Sequence, residues 1–367
     1  MSEPIRLSPA GTDRGKWQRR RSPRWALLAG VLSALAVVVT ACGGTTATTA
    51  PSGAATGPHR SLVWVSHSVG EWNQQVDVGF RDFLDAAGWD YQKLGVTSGT
   101  YSVQENVNAI NTAIQKKPDV IVATMINEAL EAPLQAAEKA GIKVILNNAV
   151  IPDLAAKNNW VYIGADSYLE GQLAGSALAN NLVSNGRKDG TIVFGNLEPG
   201  NPDIENRKKG VEDGIKSVNT AAGSSFTVEE FADNAHNAGQ SIPLYQAQIQ
   251  RLGDKLAAFV GGGQPSVENA WQAVQKSGIA PGKIPVGGID ISPIILDGID
   301  QGYVLLSIDQ QLYNQGYMSA ATAWSAVERL TQPVAVNTGT GVANKNTVKA
   351  FRDQVNVMTK RAKELGL

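Results

Sequence analysis

Polar residues that close short apolar runs carry most of the chemistry available to this chain of 367 residues. Ser66 and His67 follow "LVWV", Asn147 and Asn148 close "IKVILNN", and Gly261–Gly263 with Gln264 follow "KLAAFV". Asp290 closes "IPVGGID", and Asp309 with Gln310 closes "YVLLSIDQ". Amides, hydroxyls, an imidazole and isolated carboxylates donate and accept hydrogen bonds with little net charge. Such a set suits a polar, largely uncharged small molecule. Covalent and metal chemistry have less to stand on: there are three histidines and one cysteine, and neither H-E-x-x-H nor G-x-S-x-G occurs. No G-x-G-x-x-G opens the first helix, and "VGGGQPS" lacks the lysine and spacing that a phosphate loop needs. Glu229 and Glu230 lie at a strand end with no partner motif and read as a solvated edge. The expectation is a binding protein, with no catalytic residue, cofactor or metal.

The elements that position these residues repeat as strand then helix. After "LVWVSHS" (62–68), Trp72, Val76, Phe80, Phe83, Leu84 and Ala87 recur at helical spacing. "WDYQKLG" predicts a second strand, and Val103, Val107, Ile110 and Ile114 a second helix. "KKPDVIVAT" follows as a buried strand, then a helix stopping at Gly141, then "IKVILNN" and "WVYIG". The alternation restarts with a helix at 167–184 and runs through "TIVFG", helix 203–217, strand 225–231 and helix 239–252. It continues through "KLAAFVGGG", helix 266–277, "IPVGGID", helix 292–301 and "YVLLSID". Continuous apolar strands between helices predict parallel sheets covered on both faces. Two such α/β units whose strand ends face each other would enclose a cleft, because open parallel sheets bind ligands beyond their carboxyl edges.

The amino-terminal 60 residues are different in kind. A basic stretch with Arg19-Arg20-Arg21 precedes the uncharged run "WALLAGVLSALAVVVTA" (25–41), the layout of an export signal spanning 1–41. Val39-Thr40-Ala41-Cys42 resembles the lipobox of bacterial lipoproteins, so the lone Cys42 is expected to be acylated; an uncleaved anchor helix and twin-arginine export are the alternatives. Residues 42–60, rich in Thr, Ala, Gly and Pro, read as a lipidated cysteine on a flexible tether. Taking the segment's seven basic and two acidic residues from the totals of 32 and 33 leaves 25 against 31, a net charge of −6. That balance excludes nucleic acid as the expected partner.

The succession "DVIVAT…LEAPLQAAEKAGIKVILNN", "NRKKGVEDGI", "VGGID" and "SIDQQLYNQGY" resembles the sugar-binding type I periplasmic-binding proteins, the ribose- and galactose-receptor group of ABC importers, over residues 60–340. The resemblance implies an α/β fold of two doubly wound parallel-sheet lobes joined by a three-crossover hinge. Crossovers then fall near 164–167, 309–312 and 332–336. One lobe takes 60–165 plus 311–333 and the other 166–310 plus 334–367, with 346–366 a terminal helix on the second lobe. It also implies ligand contacts from Trp72 by stacking, from Asn147 and Asn148, from Arg207 as a clamp, and from Asp290 and Gln310 at strand ends. The sequence departs from the pattern at Asn234, where a second aromatic is missing, and at Gly263-Gln264, where an Asn-Asp pair is usual. Gln264 and Asn234 remain candidate contacts, His67 and His236 flank them, and Tyr313 or Tyr101 would be a replacement aromatic. The implied function is an exported solute-binding lipoprotein on the outer face of the membrane. It would act as a monomer, handing a monosaccharide or polyol to a permease and ATPase. A nucleoside or amino-acid receptor, or a sensing role, is the alternative.

Overall fold

Strand β1 (Ser61–Ser66) shows how one segment serves two layers: Leu62 and Trp64 point to one face, Val63 and Val65 to the other, and all four are buried. A strand apolar on both sides needs helices on both sides. The computed structural model describes residues 59–67, 69, 71–98 and 102–367, so Cys42, the leader, most of the tether and Tyr101 lie outside the described residues.

The first sheet is built as β1, α1 (Glu71–Ala87), β2 (Asp90–Gly95), α2 (Val103–Lys116), β3 (Val120–Ala123), α3 (Glu131–Lys139), β4 (Lys143–Asn147), α4 (Pro152–Asn158) and β5 (Val161–Gly164). The second follows as α5 (Ser167–Ser184), β6 (Asp189–Asn196), α6 (Pro202–Ala222), β7 (Ser225–Ala232), α7 (Ala238–Leu252), β8 (Leu256–Gly261), α8 (Gln264–Lys276), β9 (Val286–Ile289), α9 (Pro293–Asp300) and β10 (Val304–Asp309). The chain then returns to the first unit with α10 (Leu312–Glu328) and β11 (Val336–Asn337), and ends on the second with β12 (Gly341–Asn344) and α11 (Val348–Glu364). Strand order is β2-β1-β3-β4-β5-β11 in one six-stranded sheet and β7-β6-β8-β9-β10-β12 in the other. All pairings are parallel except β10 with β12. This is the expected α/β architecture of two doubly wound lobes.

Each lobe has a core on both faces of its sheet. In the first, Trp64, Phe80, Val122 and Ala320 bury one face under α1 and α10, while Val65, Ile110, Ile121 and Leu134 bury the other under α2 and α3. In the second, Phe194 and Val260 pack under α5 and α6, and Phe259 and Val286 under α7, α8 and α9.

Three passages cross between the sheets: after β5, after β10 and between β11 and β12. The third differs from the reading at 332–336 that gave 334 onward to the second lobe. Val336 pairs with Ile163 and Asn337 with Gly164, which holds these residues in the first sheet until the chain leaves for β12. A two-residue strand leaves no periodicity to read. The terminal helix also reaches further than expected. Val348, Phe351 and Val355 pack on the second lobe's core, and Arg352 pairs with Asp297 at 2.9 Å and Asp300 at 2.6 Å. Its last turn lies against the first lobe, where Arg361 Nε donates to Asp82 Oδ1 of α1 at 2.6 Å.

Helices α1 and α10 approach so closely that a Cβ at Gly316 would overlap the carbonyl oxygen of Val76. Overpacking against backbone cannot be relieved by a side-chain rotation and costs about 1–3 kcal/mol. Gly316→Ala is therefore expected to lower the unfolding free energy from urea titration by that amount; an unchanged midpoint would contradict this packing.

Candidate functional site

The site begins with an arginine that the fold removes from water. Helix α6 opens with Asn201, whose side chain caps Asp203 N at 3.0 Å, and Pro202 in the first turn, where its missing N–H costs nothing. Asp203 and Arg207 lie four residues apart on one helix face. Gly171 of α5 lets that helix approach until a Cβ there would overlap the Arg207 carbonyl oxygen. Glu170, fully buried beside Gly171, accepts from Arg207 Nε at 3.0 Å, and Arg207 Nη1 donates to the Gly262 carbonyl at 3.0 Å. Burial works against the Arg207 charge, but Glu170, Asp290 and Asp203 outweigh it and hold its pKa above the ordinary value. Burial pushes the Glu170 carboxyl up to about 7, with the Arg207 charge opposing it.

Asp290 sits just past β9 with φ 77°, in the left-handed region that a non-glycine residue enters only when its surroundings fix it there. They do: Asp290 N donates to Ile308 O at 2.7 Å, and Ser307 Oγ donates to the Asp290 carbonyl at 2.6 Å. The carboxylate accepts from Gln264 N at 3.0 Å through Oδ2 and from Gln310 Nε2 at 2.5 Å through Oδ1. Within the first lobe Asn148 Nδ2 donates to Gln315 Oε1 of α10 at 3.1 Å, and it reaches Gln310 Oε1 in the second passage at 3.5 Å. A run of amides thus leads from the first lobe through the second passage to an acid of the second lobe.

The remaining wall is a charge pair. Glu198 Oε1 meets His236 Nε2 at 3.2 Å, and Asn201 Nδ2 donates to Glu198 Oε2 at 2.8 Å. Burial would raise the Glu198 carboxyl, but these partners and His67 hold it down at about 2, and Glu198 in turn raises His236. Burial lowers His67 to about 4, so its ring is neutral at physiological pH; it lies 5.1 Å from the Trp72 ring at 31°. Burial also pushes Asp203 up to about 6, opposed by Arg207, the Val150 N–H and the Ser167 hydroxyl.

These groups surround a cavity of about 80 Å³ between the lobes. At roughly 10–15 Å³ per water it holds about five to eight waters. Of the residues expected from sequence, His67, Trp72 and Asn148 line it from the first lobe, Arg207, Gln264 and Asp290 from the second, and Gln310 from the passage. Asn147 is not among them. Its Oδ1 accepts from Trp64 Nε1 at 3.2 Å and Thr124 Oγ1 at 3.1 Å inside the first lobe, because its side chain follows the strand alternation inward while Asn148, at φ 63°, turns out of the strand. Asn234 is exposed in a turn at φ 50° and lines nothing here; His236, two residues on, takes that place in the wall. Tyr313 bonds Asp82 on the α1–α10 face instead of facing the cavity. Glu198, Asn201 and Asp203 line the cavity and were missed, as was Glu170 behind Arg207. The four-residue step from Asp203 to Arg207 was the one legible signal. A larger hollow of about 680 Å³ beside the passages, lined by Trp160, Tyr162, Tyr168, Asn206, Asn337 and Val336 among others, takes in none of the strand-end residues His67, Asn148, Gln264, Asp290 and Gln310, so we place the site in the smaller one.

Two lobes enclosing a small, amide-lined cavity have the form of a solute-binding protein. Residues 62–330 match the model of the periplasmic binding protein domain, and the chain belongs to that family. It is 25% identical over 311 residues to the xylose/arabinose-binding protein XylF of Sulfolobus acidocaldarius, covering 80% of this chain and 73% of that one. Its fold is similar to a solute-binding protein of Actinobacillus succinogenes with bound D-allose (TM-score 0.70, 20% identity, 79% of this chain and 99% of that one). It is also similar to a carbohydrate transporter protein of Acidothermus cellulolyticus in complex with myo-inositol (TM-score 0.69, 21% identity, 82% and 100%).

Two outcomes follow from the burial of these ions. Glu170→Ala strands the Arg207 charge, which costs about 3–5 kcal/mol in unfolding free energy; a loss below 1 kcal/mol would contradict the pairing. His67 binds its proton less well folded (about 4) than unfolded (6.5), so stability is complete above pH 6.5 and falls as pH drops toward 4. Urea titrations across that window should show His67→Asn losing about 3 kcal/mol less than the parent, as 1.36 kcal/mol per unit implies; parallel curves would refute it.

Proposed function

We propose that this protein is an extracytoplasmic receptor, held to the membrane through a lipid on Cys42, that closes on one neutral sugar ring and delivers it to an ABC permease. The observation that carries the reading is charge balance within the cleft. Arg207 is committed to Glu170 with Asp203 and Asp290 also in its field, Glu198 to His236, and Asp290 to two amide donors, so each ion of the wall is already held by protein groups. A sugar, with hydroxyls that donate and accept, meets such a wall without bringing a counterion. Trp72 supplies one apolar face for the C–H bonds of a ring. The relatives named above, whose names and bound ligands are sugars or a polyol, support the same class.

The amino-acid reading loses support here, since a ligand carboxylate would have to compete with Glu170 for the guanidinium. A nucleoside would want aromatic rings on both faces, and the described residues of the cavity provide Trp72 with His67 on one side. Among the described residues no helix is long and apolar enough to cross a membrane. In this proposal Cys42 carries the anchor. A flexible tract after it leaves the receptor free to meet its permease by diffusion in the membrane plane.

Calorimetric titration with pentoses, hexoses, inositol, nucleosides and amino acids tests the class. A neutral sugar or polyol is expected to bind, and Asp290→Ala should weaken it about 10–100-fold, the effect of losing hydrogen bonds to a charged acceptor. Binding confined to nucleosides or amino acids, or an Asp290→Ala protein of undiminished affinity, would overturn the proposal. Mass spectrometry of the membrane-extracted protein should find acyl chains on Cys42.

A further inference from the structure

Beside the cavity, on the side covered by α11, lies a second recess of about 220 Å³. Gln264 lines both. Its backbone N–H is fixed on Asp290, while its side-chain amide donates to Glu268 Oε1 at 3.0 Å, and Ser292 Oγ donates to the same oxygen at 2.6 Å. Gln264 thus stands where the two spaces adjoin. Gln75 and Thr359 add polar groups to the outer recess, and Val355 and Met358 of α11 add apolar ones. The outer wall exists only because α11 spans the lobes, tied by Arg352 to Asp297 and Asp300 at one end and by Arg361 to Asp82 at the other.

Resting on the sugar reading, we infer that this recess is an outer subsite for the second ring of a disaccharide, and that the C-terminal helix serves to build it. The inner cavity measures about 80 Å³. At roughly 10–15 Å³ per water, the outer recess has room for about 15–22 waters. Its lining divides as a sugar does, with amides and hydroxyls for the rim and Val355 and Met358 for a C–H face; the unbranched methionine adapts to an irregular partner. Among the described residues no charged side chain lines it, which favours a neutral ring over a charged substituent.

The test uses the mature, unlipidated chain and matched pairs: D-xylose with xylobiose, L-arabinose with arabinobiose, D-glucose with cellobiose and maltose, D-galactose with melibiose. In at least one pair the disaccharide should bind about tenfold tighter or more, as one or two added hydrogen bonds would give. Thr359→Trp fills the recess from an exposed position, so folding is expected to be unaffected, as a matching thermal midpoint would verify. It should remove that advantage while changing monosaccharide affinity less than about twofold, as expected of a site it does not touch. Binding of monosaccharides with exclusion of every disaccharide, or equal losses for both in Thr359→Trp, overturns the subsite alone. Failure of every sugar to bind overturns the sugar reading and the subsite with it.

Discussion

A guanidinium buried between two lobes sets the terms for everything around it. Arg207 is nearly inaccessible to water and would be prohibitively costly there alone, since an isolated buried charge loses its hydration. Glu170 supplies the counterion from an adjacent helix, and the Gly262 carbonyl fixes a second edge of the fork. That arrangement requires α5 and α6 to approach at Gly171, and it requires the β8–α8 turn to present a backbone oxygen instead of a side chain. Once Arg207 is satisfied by protein, its remaining hydrogen-bonding capacity is available to a guest without demanding an anion. The same logic repeats at Glu198 with His236. A cleft whose ions are already matched discriminates by hydroxyl geometry, because an unmatched donor or acceptor in a closed site costs more than a missing attraction.

The hinge converts that geometry into a trap. Asn148, Gln310 and Asp290 come from the first lobe, the second passage and the second lobe, yet they form one series of contacts. Asp290 is held at φ 77° by bonds from β10, so the acid that ends the series is placed before any guest arrives. Closure of the lobes about such a hinge expels water and completes contacts that neither lobe can make alone.

Much of this was legible in the chain. The strand-helix alternation survives in sequence because buried parallel strands must be apolar on both faces; the inner strands were read from that rule, and the polar edge strands β2 and β7 from their place in the alternation. Strand-end polarity likewise pointed to His67, Asn148, Gln264, Asp290 and Gln310. What sequence left unread depends on direction and on distance along the chain. Asn147 and Asn148 are chemically identical neighbours, and one backbone angle sends the first into the core and the second to the cavity. Glu170 lies 37 residues from Arg207 and reads as an ordinary helix position until the helices are packed. Glu198 and Asn201 belong to a loop, where no periodicity marks a side chain as facing inward. β11 and β12 are too short to have a pattern, and the reach of α11 to Asp82 is a fact of tertiary structure alone.

The most direct test of charge compensation in the cleft is to vary the charge of the guest on one ring. Calorimetry would compare the tightest-binding neutral sugar with its amino-sugar and uronic-acid counterparts, at low and physiological salt. The neutral sugar should bind at least about 100-fold more tightly than either ion, the cost expected for an unpaired charge in a closed site, and with little dependence on salt. An amino sugar or uronate binding as tightly as the neutral sugar, with affinity falling as salt rises, would show an unmatched ion in the wall and contradict the account.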